Sequence, residues 1–396
     1  MGDGVELGLR ALALPGFLAL RWWSQQGRVA DAAQPRPRAS LGLAMKVALD
    51  EFFFATEVVT LRLIAGQERH RIAHEVRSAL RLYAKRGWLA RPALYHRTPP
   101  ALERTRFQAS SASGVAFEQL SFESGYEPHL GEPGRRRWLS YDANRTAHAW
   151  IVRHPGPERP WVVCIPGFRM GNPTVDFTGF RVAWLHEELG LNVAVPVLPF
   201  HGPRRVGRRG GDGWLSGDFL DTVHAQAQAV WDARRVIRWL RREGAPSIAA
   251  YGVSLGGYTT GLLAALEPEL DCVVAGIPAA CFLGLARWNA PPLLLRAAER
   301  FGFEWERVER LLTVVSPLAF APRVPQERLY LYAGMADRLA PPHQALELWR
   351  HWGEPRLAWY HGGHVSFLFE PDVEALLREA FRDTGVLGRR PRIRAA

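Results

Sequence analysis

The sequence predicts an α/β fold: a doubly wound, mostly parallel sheet of eight strands with helices on both faces, preceded by a helical N-terminal extension. Three observations carry this reading. A chain of 396 residues with 47% apolar and 22% charged residues can bury a large core. From Ala116 onward, short runs rich in Val, Ile and aromatic residues alternate with helix-length amphipathic segments, the pattern that parallel strands and their crossovers impose. Finally, three of those runs lead into turns that carry Ser, Asp and His, which places reactive side chains along one edge of the sheet.

The strands are expected at Ala116–Phe122, Ala147–Val152, Trp161–Ile165, Asn192–Leu198, Ser247–Tyr251, Cys272–Ile277, Leu329–Ala333 and Leu357–Tyr360. Helices are expected at Gly179–Leu189, Phe219–Arg242, Leu255–Leu266, Gln344–Trp352 and Val373–Phe381. Residues 1–110 read as the helical extension and 111–390 as the α/β domain, with a cap inserted at about 280–320. In the extension, Leu43, Val47, Phe54, Val58, Leu61 and Ala65 recur at helical spacing over Leu41–Ile64. Lys46, Asp50, Glu51, Glu57 and Arg62 interrupt them, so this is an amphipathic helix and not a membrane span. A second helix is expected at Arg69–Tyr83, ended by the loop signals Arg91-Pro92 and Thr98-Pro99-Pro100. Trp22-Trp23 and Phe52-Phe53-Phe54 suit packing against the core or a peripheral membrane contact. The uncharged run Ala11–Leu20 is too short to span a bilayer, and Asp3 and Glu6 stand where a signal peptide carries positive charge, so a cytoplasmic protein is expected.

The net charge of +11 raises nucleic acid or an anionic membrane as a partner. Lys46 and Lys85 are the only lysines, however, and an Arg-rich coding bias is the preferred account of the balance. The clusters Arg135–Arg137, Arg204–Arg209 and Arg389–Arg394 come with no helix-turn-helix, zinc-finger or RNP pattern, so no nucleic-acid partner is expected. Cys164, Cys272 and Cys281 form no Cys-x-x-Cys pair and read as reduced thiols.

The sharpest motif is Gly252-Val253-Ser254-Leu255-Gly256, entered from a predicted strand and left by a predicted helix. A nucleophile elbow needs this setting, because the serine must stand at a strained tip while small neighbours let backbones pass. A serine hydroxyl also needs a base held by a carboxylate, in the chain order Ser, Asp, His. Asp337 follows the run Leu329–Ala333 through Gly334-Met335-Ala336, and His364 follows the run Leu357–Tyr360 through His361-Gly362-Gly363. His361 is the competing base. Together these residues resemble the α/β-hydrolase superfamily over Ala116–Phe381. The Ser316-Pro317-Leu318 step and the spacing from Ser to Asp to His are similar to dienelactone-hydrolase and prolyl-oligopeptidase-type members. Gly-Gly-His-Val-Ser also resembles a branch of hydrolase-domain proteins. On the N-terminal hundred residues the resemblance is silent.

The resemblance implies an oxyanion hole made by the backbone N–H of Leu255 and that of Phe168, which lies in Pro166-Gly167-Phe168-Arg169 where the superfamily often has His-Gly-x. His201, in Pro199-Phe200-His201-Gly202, reads as a structural hydrogen-bonding residue. In the cap, Pro291–Leu295 and Arg307–Val315 read as two short helices that either line an acyl pocket or cover the core. No metal-ligand motif is present, and Gly207–Gly213 lacks the Gly-Lys-Ser/Thr ending of a phosphate loop, so no cofactor is expected. The expectation is a serine hydrolase acting on a carboxylic ester or thioester through Ser254, His364 and Asp337. Peptidase and acyltransferase activity use the same parts, and a non-catalytic interaction protein of the same fold is the other alternative. Arg204, Arg205, Arg208 and Arg209 either favour an anionic substrate or lie solvated at the surface.

Overall fold

The computed structural model describes residues 16–21, 25, 31–60, 66–156, 158–300 and 303–388. Asp3, Glu6, Trp22-Trp23, the start of the Ala11–Leu20 run, residues 61–65 at the end of the first predicted helix and the Arg389–Arg394 cluster lie outside them.

Among the described residues nine strands make one sheet, in the order β1-β2-β3-β5-β4-β6-β7-β8-β9. They are β1 (Arg106–Ala112), β2 (Val115–Glu123), β3 (Thr146–Val152), β4 (Trp161–Ile165), β5 (Asn192–Pro196), β6 (Ile248–Val253), β7 (Cys272–Gly276), β8 (Leu329–Gly334) and β9 (Arg356–Tyr360). β1 to β3 pair antiparallel, and β3 joins β5 antiparallel. The six from β5 to β9 are parallel, so the sheet is mostly parallel. The count corrects the eight expected. β1 reads Arg-Phe-Gln-Ala-Ser-Ser-Ala with all but its last residue exposed, so it carries no alternating apolar signal. Its one local mark is Ser113-Gly114, where both residues have positive φ, the backbone of a two-residue hairpin turn that matches strand twist.

The central strands are buried on both faces, as parallel strands between helices must be. Along β4 and β6 the side chains alternate between two cores. Val163, Ile165, Ile248 and Ala250 join one, while Val162, Cys164, Ala249 and Tyr251 join the other. The first core is closed by α5 (Phe219–Arg242) and α6 (Leu255–Leu266), and it also takes in Ile72, Val76, Ala79 and Tyr83 of α2 (Gly66–Lys85). The second is closed by α4 (Pro173–Phe180) and α11 (Pro371–Asp383) through Phe177, Phe180, Leu376 and Phe381. The short helix α3 (Arg135–Leu139) precedes β3.

α4 differs from the helix expected at Gly179–Leu189. Asn172 caps its start by accepting from Thr174 N–H at 3.0 Å, Pro173 occupies its first turn, and Arg181 leaves it in the left-handed region. Asn-Pro is thus the stronger local signal, and the apolar spacing further on belongs to a single wide turn at Trp184–Glu188. Between β7 and β8, where a cap with two helices was expected, the described residues form three helices: α7 (Phe282–Asn289), α8 (Pro292–Arg300) and α9 (Trp305–Leu312). Within it, Val308, Leu311, Val314 and Val315 are buried in the first core, whereas Leu293 is exposed. α10 (Pro342–His351) links β8 to β9.

The N-terminal helix α1 (Leu41–Thr60) is built inside out. Its charges turn toward the protein: Lys46 pairs with Glu370 at 2.6 Å, Glu51 with Arg21 and Arg338, and Glu57 with Arg169 and Arg209, while Asp50 is fully buried. Leu41, Met45, Leu49 and Phe52 share the exposed face. Among the described residues no helix is long and apolar enough to cross a membrane.

Candidate active site

Ser254 sits between the end of β6 and the first residue of α6 with φ 58° and ψ −116°, a conformation that non-glycine residues adopt only when their surroundings enforce it. Those surroundings are backbone. A Cβ on Gly256 would lie 1.9 Å from the Ile165 carbonyl oxygen, and one on Gly252 would lie 2.2 Å from that of Gly256. Glycine at both positions is therefore what lets the turn close. Ser254 N–H donates to the Gly276 carbonyl at 2.9 Å, which ties the turn to β7. From Tyr251 to Thr260 every residue is buried except Ser254, which is half-buried.

Asp337 lies three residues past β8 and is buried. Its Oδ1 accepts from the N–H groups of Leu339 at 2.9 Å and Ala340 at 2.8 Å, which leaves Oδ2 for the next strand's loop. There His364 Nδ1–H donates to Oδ2 at 2.7 Å. Burial works against a charged His364 ring, but the adjacent Asp337 carboxylate, its hydrogen bond and the charge of Asp50 outweigh it and hold the imidazole above its ordinary range. The His364 loop is fixed by short-range bonds: Tyr360 Oη donates to the Gly363 carbonyl at 2.7 Å, and Gly363 N–H donates to Ser366 Oγ at 3.1 Å. His361 turns away, with Nε2 bonded to the Arg38 carbonyl at 2.8 Å. Ser254, Asp337 and His364 thus follow β6, β8 and β9 at the same edge of the sheet, where ligands of open α/β sheets bind.

No family model matches the chain. Two curated relatives from Mycobacterium tuberculosis match nearly end to end. Uncharacterized protein MT2702, of strain CDC 1551, and uncharacterized protein Rv2627c, of strain H37Rv, are each 38% identical over 395 residues, covering 98% of this chain and 91% of the relative. Among solved structures, an acetyl xylan esterase from Paenibacillus sp. R4 superposes with a TM-score of 0.52 at 15% identity, covering 74% of this chain and 98% of that one. That likeness is one of fold: the chain has the α/β architecture of this esterase. The chain shares a family with the two mycobacterial proteins, whose match extends through the N-terminal helices that the superfamily pattern leaves out.

Other features of the chain bear on the site. Leu255 N–H is the first of α6 and has no intrahelical acceptor, and no hydrogen bond engages Phe168 N–H among the described residues. His201 is fully buried, its Nδ1–H donates to the Pro199 carbonyl at 2.8 Å, and burial lowers its pKa to about 4, so it stays neutral. The arginine loop is not the free cationic patch it reads as. Arg204 is fully buried and donates to Asp232, the Val197 carbonyl and the Asn144 carbonyl, and Arg209 binds Glu57 of α1, whereas Arg205 and Arg208 are exposed. Sequence reasoning missed Asp50, whose carboxylate meets the His364 loop from α1.

Proposed function

We propose that this chain is a serine hydrolase that cleaves a carboxylic ester or thioester through an acyl-enzyme on Ser254. The observation that carries the reading is the pairing of a strained, partly exposed serine turn with a His364–Asp337 hydrogen bond in which Asp337 is buried and His364 half-buried, on one sheet edge. In this reading Ser254 Oγ attacks the acyl carbon while His364 Nε2 takes its proton. Asp337 holds the ring in the tautomer that leaves Nε2 free and stabilises the imidazolium. The oxyanion is met by the N–H groups of Leu255 and Phe168. His364 then gives the proton to the departing alkoxide or thiolate, the acyl group remains on Ser254, and a water deprotonated by His364 releases the acid. Peptidase and acyltransferase chemistry differ only in the leaving group or the acceptor, so an assay panel must include both.

The test is labelling with a fluorophosphonate probe, followed by a panel of esters of increasing acyl length. Labelling of Ser254 with turnover of at least one ester is the expected result. An unlabelled, correctly folded protein returns the chain to the non-catalytic alternative. A small ester is the expected partner, and the three unpaired thiols fit a reducing, cytoplasmic setting. The exposed Leu41, Met45, Leu49 and Phe52 of α1 favour in addition a peripheral lipid contact. Flotation with anionic vesicles should recover the wild type and lose a protein carrying Met45→Glu and Phe52→Glu.

A further inference from the structure

None of the proposed steps uses the carboxylate of Asp50. It arrives from α1, 314 residues away from His364 in sequence, and is fully buried. Its oxygens accept three backbone hydrogen bonds. Oδ2 takes His364 N–H at 2.7 Å and Arg338 N–H at 3.1 Å, and Oδ1 takes Val365 N–H at 3.0 Å. One side chain thus grips the base-bearing loop and the residue next to Asp337 at once. The glycine before His364 allows it, since a Cβ on Gly363 would lie 2.6 Å from Asp50 Oδ2. A buried carboxylate is costly unless its hydrogen bonds are met, and a mere fold contact between helix and loop could be made by apolar residues at lower cost.

We propose that Asp50 is a positioning residue for the reaction: it locks the His364 loop onto the acid turn, and its charge joins that of Asp337 in favouring the imidazolium that forms as Ser254 attacks. This rests on the triad reading above. The charged and titratable groups facing Asp50 are Asp337 from the acid turn, His364 and Tyr360 from the β9 end, and Arg21 from the N-terminal segment. On its own helix, Lys46 and Glu51 are turned to other partners. Burial first, and then Asp337, raise the Asp50 pKa to about 6, so the residue is charged at neutral pH and loses its charge just below it.

The test compares wild type, Asp50→Asn and Gly363→Ala in fluorophosphonate labelling, melting temperature and the pH profile of ester hydrolysis. Asn keeps the shape but loses the charge, and it offers an NH2 to one of the amide donors. The expected outcome for Asp50→Asn is a fall in kcat of about 10- to 100-fold with KM changed less than about twofold, the loss that a small misplacement of a reacting group brings. The acid limb of kcat/KM should move to lower pH, because removing a negative charge beside His364 makes its imidazolium lose the proton more readily. A purely structural contact would lower the melting temperature and leave that limb in place. Gly363→Ala pushes the carboxylate off its amides without altering its charge, so it should lower kcat while leaving the limb near its wild-type position. Unchanged kcat and limb in folded Asp50→Asn, with Ser254 still labelled, overturns this inference alone. Wild type that neither labels nor hydrolyses any ester removes the triad reading and this inference with it. If neither variant folds, the wild-type profile decides. A slope of log kcat/KM rising above 1 below about pH 6 supports two required ionisations, and a slope of 1 throughout overturns the role of Asp50.

Discussion

The loops after β6, β8 and β9 are shaped in part by residues within a few positions of themselves, whereas α1 meets those loops only through contacts made across some three hundred residues. Ser254 is set by Gly252 and Gly256, Asp337 by Leu339 and Ala340, and the His364 loop by Tyr360 and Ser366. Asp50 meets His364 across 314 positions and Arg338 across 288, and Lys46 donates to the His361 carbonyl across 315. Both regions meet at one sheet edge, and the difference lies in what each supplies. The strand-end loops supply the proposed reactive groups in conformations set partly by their near neighbours. The helix supplies polar groups that bolt those loops together, which is why it turns its charges inward and its apolar residues out.

The comparison predicts a hierarchy of effects. Ser254→Ala removes the proposed attacking oxygen and should abolish fluorophosphonate labelling and lower kcat by about 10⁶-fold, since a serine nucleophile carries nearly the whole covalent route. Residual labelling of that variant would place the nucleophile elsewhere. Asp337→Asn keeps the shape of the acid turn but changes the His364 tautomer, and should lower kcat by about 10⁴-fold. Its effect on pH is directional. In the wild type His364 is held above its ordinary range, so kcat/KM should rise with pH to a half-point above about 6.5, where the imidazolium gives up its proton. With the Asp337 charge gone the half-point should fall, and a limb that stays in place would detach Asp337 from the base. Asp50→Asn stands below these two in size, as argued above.

The same contrast explains how far the sequence could be read. The elbow, the acid turn and the Gly-Gly-His loop are legible because glycine spacing, strand and helix all lie within one short window. β4, α5 and α6 match their expected bounds for that reason too. β1 was not legible, because an exposed polar strand has no face to bury and shows only Ser113-Gly114. Asp50 was visible only as a charge interrupting an apolar helix. Its partners are three backbone amides, which leave no trace in side-chain pattern, and the nearest hint is Gly363, a glycine beside a catalytic candidate that needs no positive φ. In the arginine loop, sequence shows four like charges and cannot show that Arg204 points into the protein toward Asp232.

That loop gives the two smaller tests. Arg204→Ala leaves Asp232 buried without its cation, and breaking a buried pair from one side costs about 3–5 kcal/mol, so a chemical denaturation midpoint should fall clearly. A loss of unfolding free energy below about 0.5 kcal/mol would mean that Asp232 is satisfied by its bond from Ser124 alone.

Arg205→Gln together with Arg208→Gln should do the least. Both side chains are exposed, so stability should stay within about 0.5 kcal/mol of wild type. Their bearing on substrate charge is limited by geometry, because Arg204 and Arg209 are already committed to Asp232 and Glu57 and the remaining two charges act through solvent. At physiological salt such a field decays over about 8 Å. An anionic ester should therefore lose no more than about threefold in kcat/KM at low salt, with less loss at high salt and none for a neutral ester of the same acyl chain. A tenfold loss confined to the anionic ester would mean that Arg205 or Arg208 reaches the substrate directly, making the loop part of the binding site. Equal losses on both esters would point instead to a shift of the loop that reaches α1 through Arg209 and Glu57.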